Sequence, residues 1–383
     1  MIYLDNNATT RPFPQVVEAM LPYLKDCYFN PAASTAAFTE AGLPRKSAAK
    51  ALAELLRAEG PECFIFTSGA TESNNWVFWS LSQIFKTGSV LVSNIEHASV
   101  AEPAEALARN GLSIIKIGVD EQGVVDLVAL KKIMQPDTAM VSVMAANNET
   151  GVIQPLKEII EIVRSINPNA IIHTDAAQAV GKISIDLSDE WQGVDLMTFS
   201  AHKFHGPKGI GGIYVRPGTE LVPMLLGGGQ ENGLRSGTIN TPALAGLHAA
   251  AMELNDHGII NVGKFRDQLE AGLRRLFPKV KIHGADVVRL PNTTCFSLPG
   301  VVGDDLAMNL AARNIIVGTG SACSSGTMEP SKTLMAMGIG YDTAKAALRV
   351  SLGRFTSADD IAAFLDSLLE IFSASPALTT VFV

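Results

Sequence analysis

The feature that most constrains the fold of this chain is a repeated unit: a short apolar run, a polar turn, then a helix-like stretch. Runs that read as strands lie at 63–67, 89–93, 113–117, 140–144, 170–174, 194–199 and 212–215. Stretches with helical patterning sit between many of them, at 71–85, 99–109 and 156–166. Near-continuous apolar strands alternating with helices argue for a mostly parallel sheet covered on both faces. This α/β reading predicts a large domain over 14–254 built on a seven-stranded sheet. A long helical stretch, 242–277, then leads into a different pattern: a strand at 293–298, a helix at 304–313, a polar Gly-rich loop, a strand at 347–352 and a closing helix at 357–372. That pattern predicts a smaller α+β domain formed by 255–383 together with 1–13.

At 383 residues the chain exceeds the roughly 100–200 residues of a usual single domain, in line with two domains. Its 47% hydrophobic and 18% charged residues describe a core-rich, enzyme-like protein. The net charge of −8 argues against a general nucleic-acid surface. No apolar run is long enough to span a bilayer, and Met1-Ile2-Tyr3-Leu4-Asp5 does not begin a signal peptide. A soluble cytoplasmic protein is expected, with no membrane or nucleic-acid partner. Of the four cysteines, Cys27, Cys63 and Cys295 lie among apolar or aromatic neighbours and read as small buried hydrophobes. Cys323 differs: Gly318-Thr319-Gly320-Ser321-Ala322-Cys323-Ser324-Ser325-Gly326-Thr327 is too polar and Gly-rich for a core, and it reads as a loop carrying one accessible thiol. No CxxC pair occurs, so no metal site is expected.

The strand ends carry the chemistry. Ser200-Ala201-His202-Lys203 closes one apolar run and is followed by Gly206-Pro207 and Gly209. A lysine beside a histidine and a hydroxyl, with glycine-rich backbone next to it, suits a phosphorylated cofactor held as an imine, which is the chemistry of pyridoxal 5'-phosphate (PLP). Asp175 ends the run before it and suits the protonated pyridine nitrogen. Ser68-Gly69-Ala70-Thr71 opens a helix, as a phosphate site or as an ordinary N-cap. His97 after the 89–93 run reads as a ring stacked on the cofactor or as a structural cap. Asn147-Asn148-Glu149 reads as a hydrogen-bonding wall or as a turn. Thr71, His97, Asn148, Asp175, Gln178 and Lys203 all fall at the ends of predicted parallel strands, the edge where α/β sheets bind ligands. Gly227-Gly228-Gly229 leading to Arg235-Ser236-Gly237-Thr238 reads as an anion site or an interface loop. Arg349, inside an apolar run, needs an anionic partner, and a substrate carboxylate would serve.

These segments, together with Tyr3-Leu4-Asp5-Asn6-Asn7-Ala8-Thr9-Thr10, Glu72-Ser73-Asn74-Asn75, Glu96-His97, Gly320-Ser321-Ala322-Cys323 and Arg349-Val350-Ser351-Leu352-Gly353-Arg354, occur in the order found in one family. The chain resembles the PLP-dependent cysteine desulfurases of the NifS/IscS type, within the class V aminotransferase group. The resemblance implies PLP-dependent transferase fold type I and a homodimer with active sites at the subunit interface. It implies that Lys203 holds PLP as an imine and moves protons, Asp175 pairs with the pyridine nitrogen and Gln178 contacts the phenolic oxygen. His97 would stack on the ring and assist acid–base steps. Thr71, Ser200 and His202 would bind the phosphate, with Thr238 reaching in from the second subunit. Asn148 and Arg349 would hold the carboxylate of the substrate L-cysteine. Cys323 would take the sulfur as a persulfide, releasing L-alanine, and pass it to an acceptor protein. Iron–sulfur cluster assembly, tRNA thiolation, DNA modification or another pathway could receive that sulfur. The same fold also serves selenocysteine and cystine lyases and true aminotransferases, and a non-catalytic dimeric partner is a more distant alternative. The chain departs from the family at Asn30-Pro31-Ala32-Ala33-Ser34-Thr35, which lacks the usual following His, and at 373–383.

Overall fold

The computed structural model of the protein describes residues 1–319 and 329–374. The chain opens with β1 (Ile2–Leu4), which joins the smaller of two sheets. The seven apolar runs form the larger sheet as β2 (Phe64–Thr67), β3 (Ser89–Ser93), β4 (Ser113–Ile117), β5 (Thr138–Ser142), β6 (Ile171–Asp175), β7 (Leu196–Ser200) and β8 (Gly211–Val215). Their order is β2-β8-β7-β6-β5-β3-β4. Only β8 runs against the rest, antiparallel to both β2 and β7. Strands β2, β3, β5 and β7 are buried along their whole length, which is why they read as unbroken apolar runs, whereas the edge strand β4 is half open.

Helices α1 (Pro14–Lys25), α2 (Leu43–Leu56), α3 (Ala70–Ile84), α4 (Ala98–Leu107), α5 (Leu127–Ile133) and α6 (Leu156–Ile166) lie around and between these strands. The predicted 242–277 stretch is two helices, α7 (Thr241–His257) and α8 (Gly263–Leu276). Gly258, at φ +75°, ends the first of them in a conformation that a side chain disfavours. Helix α7 packs on α1 and α2.

The smaller sheet has the order β1-β11-β12-β10-β9, from β9 (Lys281–Ile282), β10 (Thr293–Ser297), β11 (Ile315–Thr319) and β12 (Ala347–Ser351). Strands β1 and β11 are parallel and the remaining pairs antiparallel. Helix α9 (Gly303–Ala312) precedes β11; α10 (Lys332–Ala336) and α11 (Tyr341–Lys345) precede β12. The closing helix α12 (Ala358–Ser373) starts from a capping box of Ser357 and Asp360 and packs on α8. Strands β1 and β11 were not expected from the sequence: β1 becomes a strand by pairing with β11, across 313 residues at Ile2↔Ile315, and β11 pairs also with β12. Cys63 and Cys295 are buried free thiols as expected, but Cys27 is only half-buried, because it follows α1 at the surface. Among the described residues no helix is long and apolar enough to cross a membrane.

Candidate active site

The direction of the larger sheet reverses its sequence order between β3 and β5, so the carboxyl ends of those strands open a crevice. Turns following β2, β3, β5, β6 and β7 meet there with the segment after β1 and with Arg349 of β12, around a cavity of about 1060 Å³. Thr71, His97, Asn148, Asp175, Gln178, Ser200, His202, Lys203 and Arg349 all line it. Thr238 is exposed and does not line it. Cys323 lies outside the described residues.

Lys203 follows β7 in a single 3-10 turn, and its Nζ donates to the carbonyls of Asn7 at 2.7 Å and Ala8 at 2.9 Å. Burial and the nearby Arg349 guanidinium lower its pKa to about 8, against the opposing pull of Asp175 and Asp5. An amine so lowered is a better nucleophile near neutrality than an ordinary lysine. Asp175, 6% exposed, accepts from the Ala177 backbone N–H on Oδ1 (2.9 Å) and from Asn74 Nδ2 on Oδ2 (2.8 Å). His97 caps α4, with Nδ1 accepting from the Ser99 backbone N–H at 3.1 Å. Burial lowers the His97 pKa below its usual value, with Lys203 acting the same way and Asp175 opposing.

On the opposite wall, Gly69 enters α3 at φ +153°. A Cβ there would stand 3.4 Å from Ser200 Oγ, so the glycine keeps open the space between the helix N-terminus and that hydroxyl. Glu72 accepts from the Ser68 backbone N–H at 2.8 Å and pairs with Arg235, also at 2.8 Å. Burial alone would raise the Glu72 pKa; the bonds from Arg235 and Ser68 outweigh it and lower the pKa. The pair ties the turn carrying Thr238 to the start of α3. His202 is held by Thr9 at 3.1 Å, and burial, with Lys203, Lys208 and Lys182 nearby, lowers its pKa to about 4.

Arg349 already has an anionic partner: its Nη2 meets Asp5 Oδ1 at 2.6 Å, and its Nη1 donates to the Asn148 carbonyl at 3.1 Å, while Nε has no partner among the described residues. Gly318 faces it across β11 and β12; a Cβ there would come within 2.7 Å of both Arg349 Nη2 and Asp5 Oδ1.

Several residues of the site carry no role in the sequence reading. Asn7 is buried, and its carbonyl also accepts from Gln178 Nε2 at 2.9 Å, while its Nδ2 reaches the Asn148 carbonyl and Thr293. Lys182, four residues after Gln178 and 1% exposed, donates to Gln178 Oε1 at 2.6 Å and to Asn7 Oδ1 at 3.2 Å. Glu149, read from the sequence as part of a hydrogen-bonding wall or a turn, is half-buried and accepts from the Ser331 and Thr333 hydroxyls. The density of amides in Asp5-Asn6-Asn7 was the available signal for the first; a lysine inside an apolar stretch was the signal for the second.

The class-V aminotransferase family model matches residues 2–364. A cysteine desulfurase of Cereibacter sphaeroides is 38% identical over 97% of this chain and 94% of its own length. A cysteine desulfurase IscS of Clostridium botulinum is 36% identical over 97% and 94%. A solved NifS-like protein superposes with a TM-score of 0.90 at 36% identity, covering 98% of this chain and all of the other. Fold and site thus define a class-V aminotransferase of fold type I, a group whose enzymes work with PLP. Within it, the chain belongs to the cysteine desulfurases of the NifS/IscS type.

The residues present fit that cofactor. A lysine amine of lowered basicity, a buried carboxylate for a protonated ring nitrogen, and hydroxyls beside a helix N-terminus for a phosphate dianion line one cavity.

Proposed function

We propose that this protein converts L-cysteine to L-alanine and carries the released sulfur as a persulfide on Cys323 for delivery to an acceptor protein. The observation that most supports this is the convergence of Lys203, Asp175 and the start of α3 on one cavity that Arg349 also enters. Bound there, PLP supplies an electrophilic carbon and a ring that withdraws electrons from the substrate's α-carbon. Lys203 holds the cofactor through Nζ and afterwards carries the proton removed from the α-carbon. Asp175 keeps the ring nitrogen protonated, and Gln178 donates to the phenolic oxygen. Thr71, Ser200 and His202 hold the phosphate, joined by Thr238 of the partner subunit in a homodimer. Asn148 and Arg349 receive the substrate carboxylate, and His97 lies over the ring. The Cys323 thiolate attacks the substrate sulfur: an S–S bond forms, the C–S bond breaks, and its electron pair stays on carbon, which takes a proton to become alanine. In this reading 14–254 carries the cofactor, 1–13 with 255–383 carries the thiol, and the enzyme works in the cytoplasm.

The purified protein should show a visible cofactor band that changes on adding L-cysteine, with alanine formed and no 2-oxo acid required. A requirement for a 2-oxo acid would identify an aminotransferase instead. Cys323→Ser should keep the band and its response to L-cysteine yet form almost no alanine and carry no added sulfur by mass spectrometry. Substantial alanine from that variant would favour a lyase.

A further inference from the structure

The face of His97 that points away from the cavity is governed by a chain of hydrogen bonds that begins at Asp175. Asn74 Nδ2 donates both to Asp175 Oδ2 at 2.8 Å and to Ser99 Oγ at 2.9 Å. Its amide cannot sit the other way round, because Thr198 Oγ1 donates to Asn74 Oδ1 at 2.6 Å, and a flip would set Oδ1 against the carboxylate. The Ser99 hydroxyl, accepting from Asn74, has its own proton left for His97 Nδ1, 2.8 Å away. The Ser99 backbone N–H, which can only donate, points at the same Nδ1 from 3.1 Å. Asn74 is fully buried and Ser99 nearly so.

Two donors aimed at Nδ1 leave no room for a proton on it. The remaining ring proton must sit on Nε2, at the cavity side. Making the imidazolium, or the other neutral tautomer, would set Nδ1–H against the Ser99 backbone N–H and force the Ser99 hydroxyl to turn its own proton away. We infer that Ser99, with its hydroxyl oriented by Asn74, is a positioning residue that holds His97 as the neutral Nε2–H tautomer in the resting site, so that His97 presents a hydrogen-bond donor, Nε2–H, to the cavity. This rests on the desulfurase reading for what lies beneath the ring, and it narrows the acid–base part that the resemblance assigns to His97. Lys203 faces the same cavity with a lowered pKa. The charges acting on the ring are Asp175, which favours imidazolium, and Lys203, which opposes it.

The test is a long-range 1H–15N correlation spectrum of the holoenzyme labelled in its histidines, with His97 assigned from the signal lost in His97→Gln. The expected result is a proton on Nε2 and none on Nδ1, unchanged from pH 8 down to pH 6. A protonated Nδ1, or titration at the ordinary histidine value, overturns the inference. Ser99→Ala removes one of the two donors and should shift the ring's titration midpoint upward, with Asn74→Ala shifting it the same way. Midpoints that do not move in either variant overturn the roles given to the Ser99 hydroxyl and Asn74. The cofactor's visible band, recorded on the same samples, reports separately on the desulfurase reading: its absence would sink that reading and leave the tautomer to be read.

Discussion

The wall of the cavity built on the larger sheet and the wall contributed by the smaller sheet are made in different ways. On the first, Asp175 ends a buried strand, and Thr71, His97, Asn148 and Lys203 each stand a few residues past the end of one. On the second, Asp5 and Asn7 come from the start of the chain and Arg349 from near its end, 344 residues from the Asp5 carboxylate it meets. The first wall is a row of separate local turns on one rigid sheet. The second exists only because β1 pairs with β11 and β11 with β12. Local turns are free to be tuned one at a time, whereas Asp5, Asn7, Asn148 and Arg349 are bonded to one another and should respond to substitution together.

The sharpest challenge to this contrast is Lys203→Ala. Turnover should vanish, the fold should persist, and borohydride reduction should leave no cofactor on any lysine; a label on Lys182 or Lys208 would mean the wrong lysine of the first wall has been chosen. Asp175→Asn should lower turnover by about 10²–10³-fold while much of the bound cofactor remains, because the neutral amide no longer favours a protonated ring but the phosphate contacts are untouched. Near-normal turnover would reduce Asp175 to a cap.

On the second wall, Arg349→Ala should raise KM for L-cysteine by the equivalent of about 2–5 kcal/mol, the scale for losing one partner of a buried charge pair. Because Asp5 then loses its cation, thermal stability should fall as well. Asp5→Asn removes the charge that faces Arg349 while keeping an acceptor oxygen; it should also lower stability, and it should not raise KM to the same extent. If the two variants behave as unrelated point changes, with additive effects in the double variant, the second wall is not the coupled unit described here.

The smallest effect belongs to Glu96 on the first wall. Burial raises its pKa to about 8, assisted by Asp175 and opposed by bonds from Ser93 and the Met144 backbone N–H. Its Oε2 is buried without a partner among the described residues, a fitting place for a retained proton. A carboxyl whose folded pKa exceeds its unfolded value contributes stability below the unfolded value, and that contribution is lost as pH rises through the folded one. The contribution of Glu96 should therefore fade between about pH 5 and pH 8, so the melting temperature of Glu96→Gln should gain on that of the wild type by a few degrees as pH rises through that range. Identical profiles would show that Glu96 titrates normally.

What the sequence by itself determined is the larger sheet and the residues on its edge. Seven strands read as apolar runs because both faces of each central strand are covered, and burial writes itself directly into residue type. Polar residues at the ends of such runs had one place to go, the carboxyl edge. Tertiary structure alone decided that Arg349 has a carboxylate of the protein, Asp5, in its grasp, and that Asn7 serves Lys203, Gln178 and Lys182 together. It also decided that Ser99 and Asn74 set which nitrogen of His97 carries the proton. These depend on distances between segments far apart in the chain, and short strands such as β1 and β11 carry no periodicity long enough to announce their pairing.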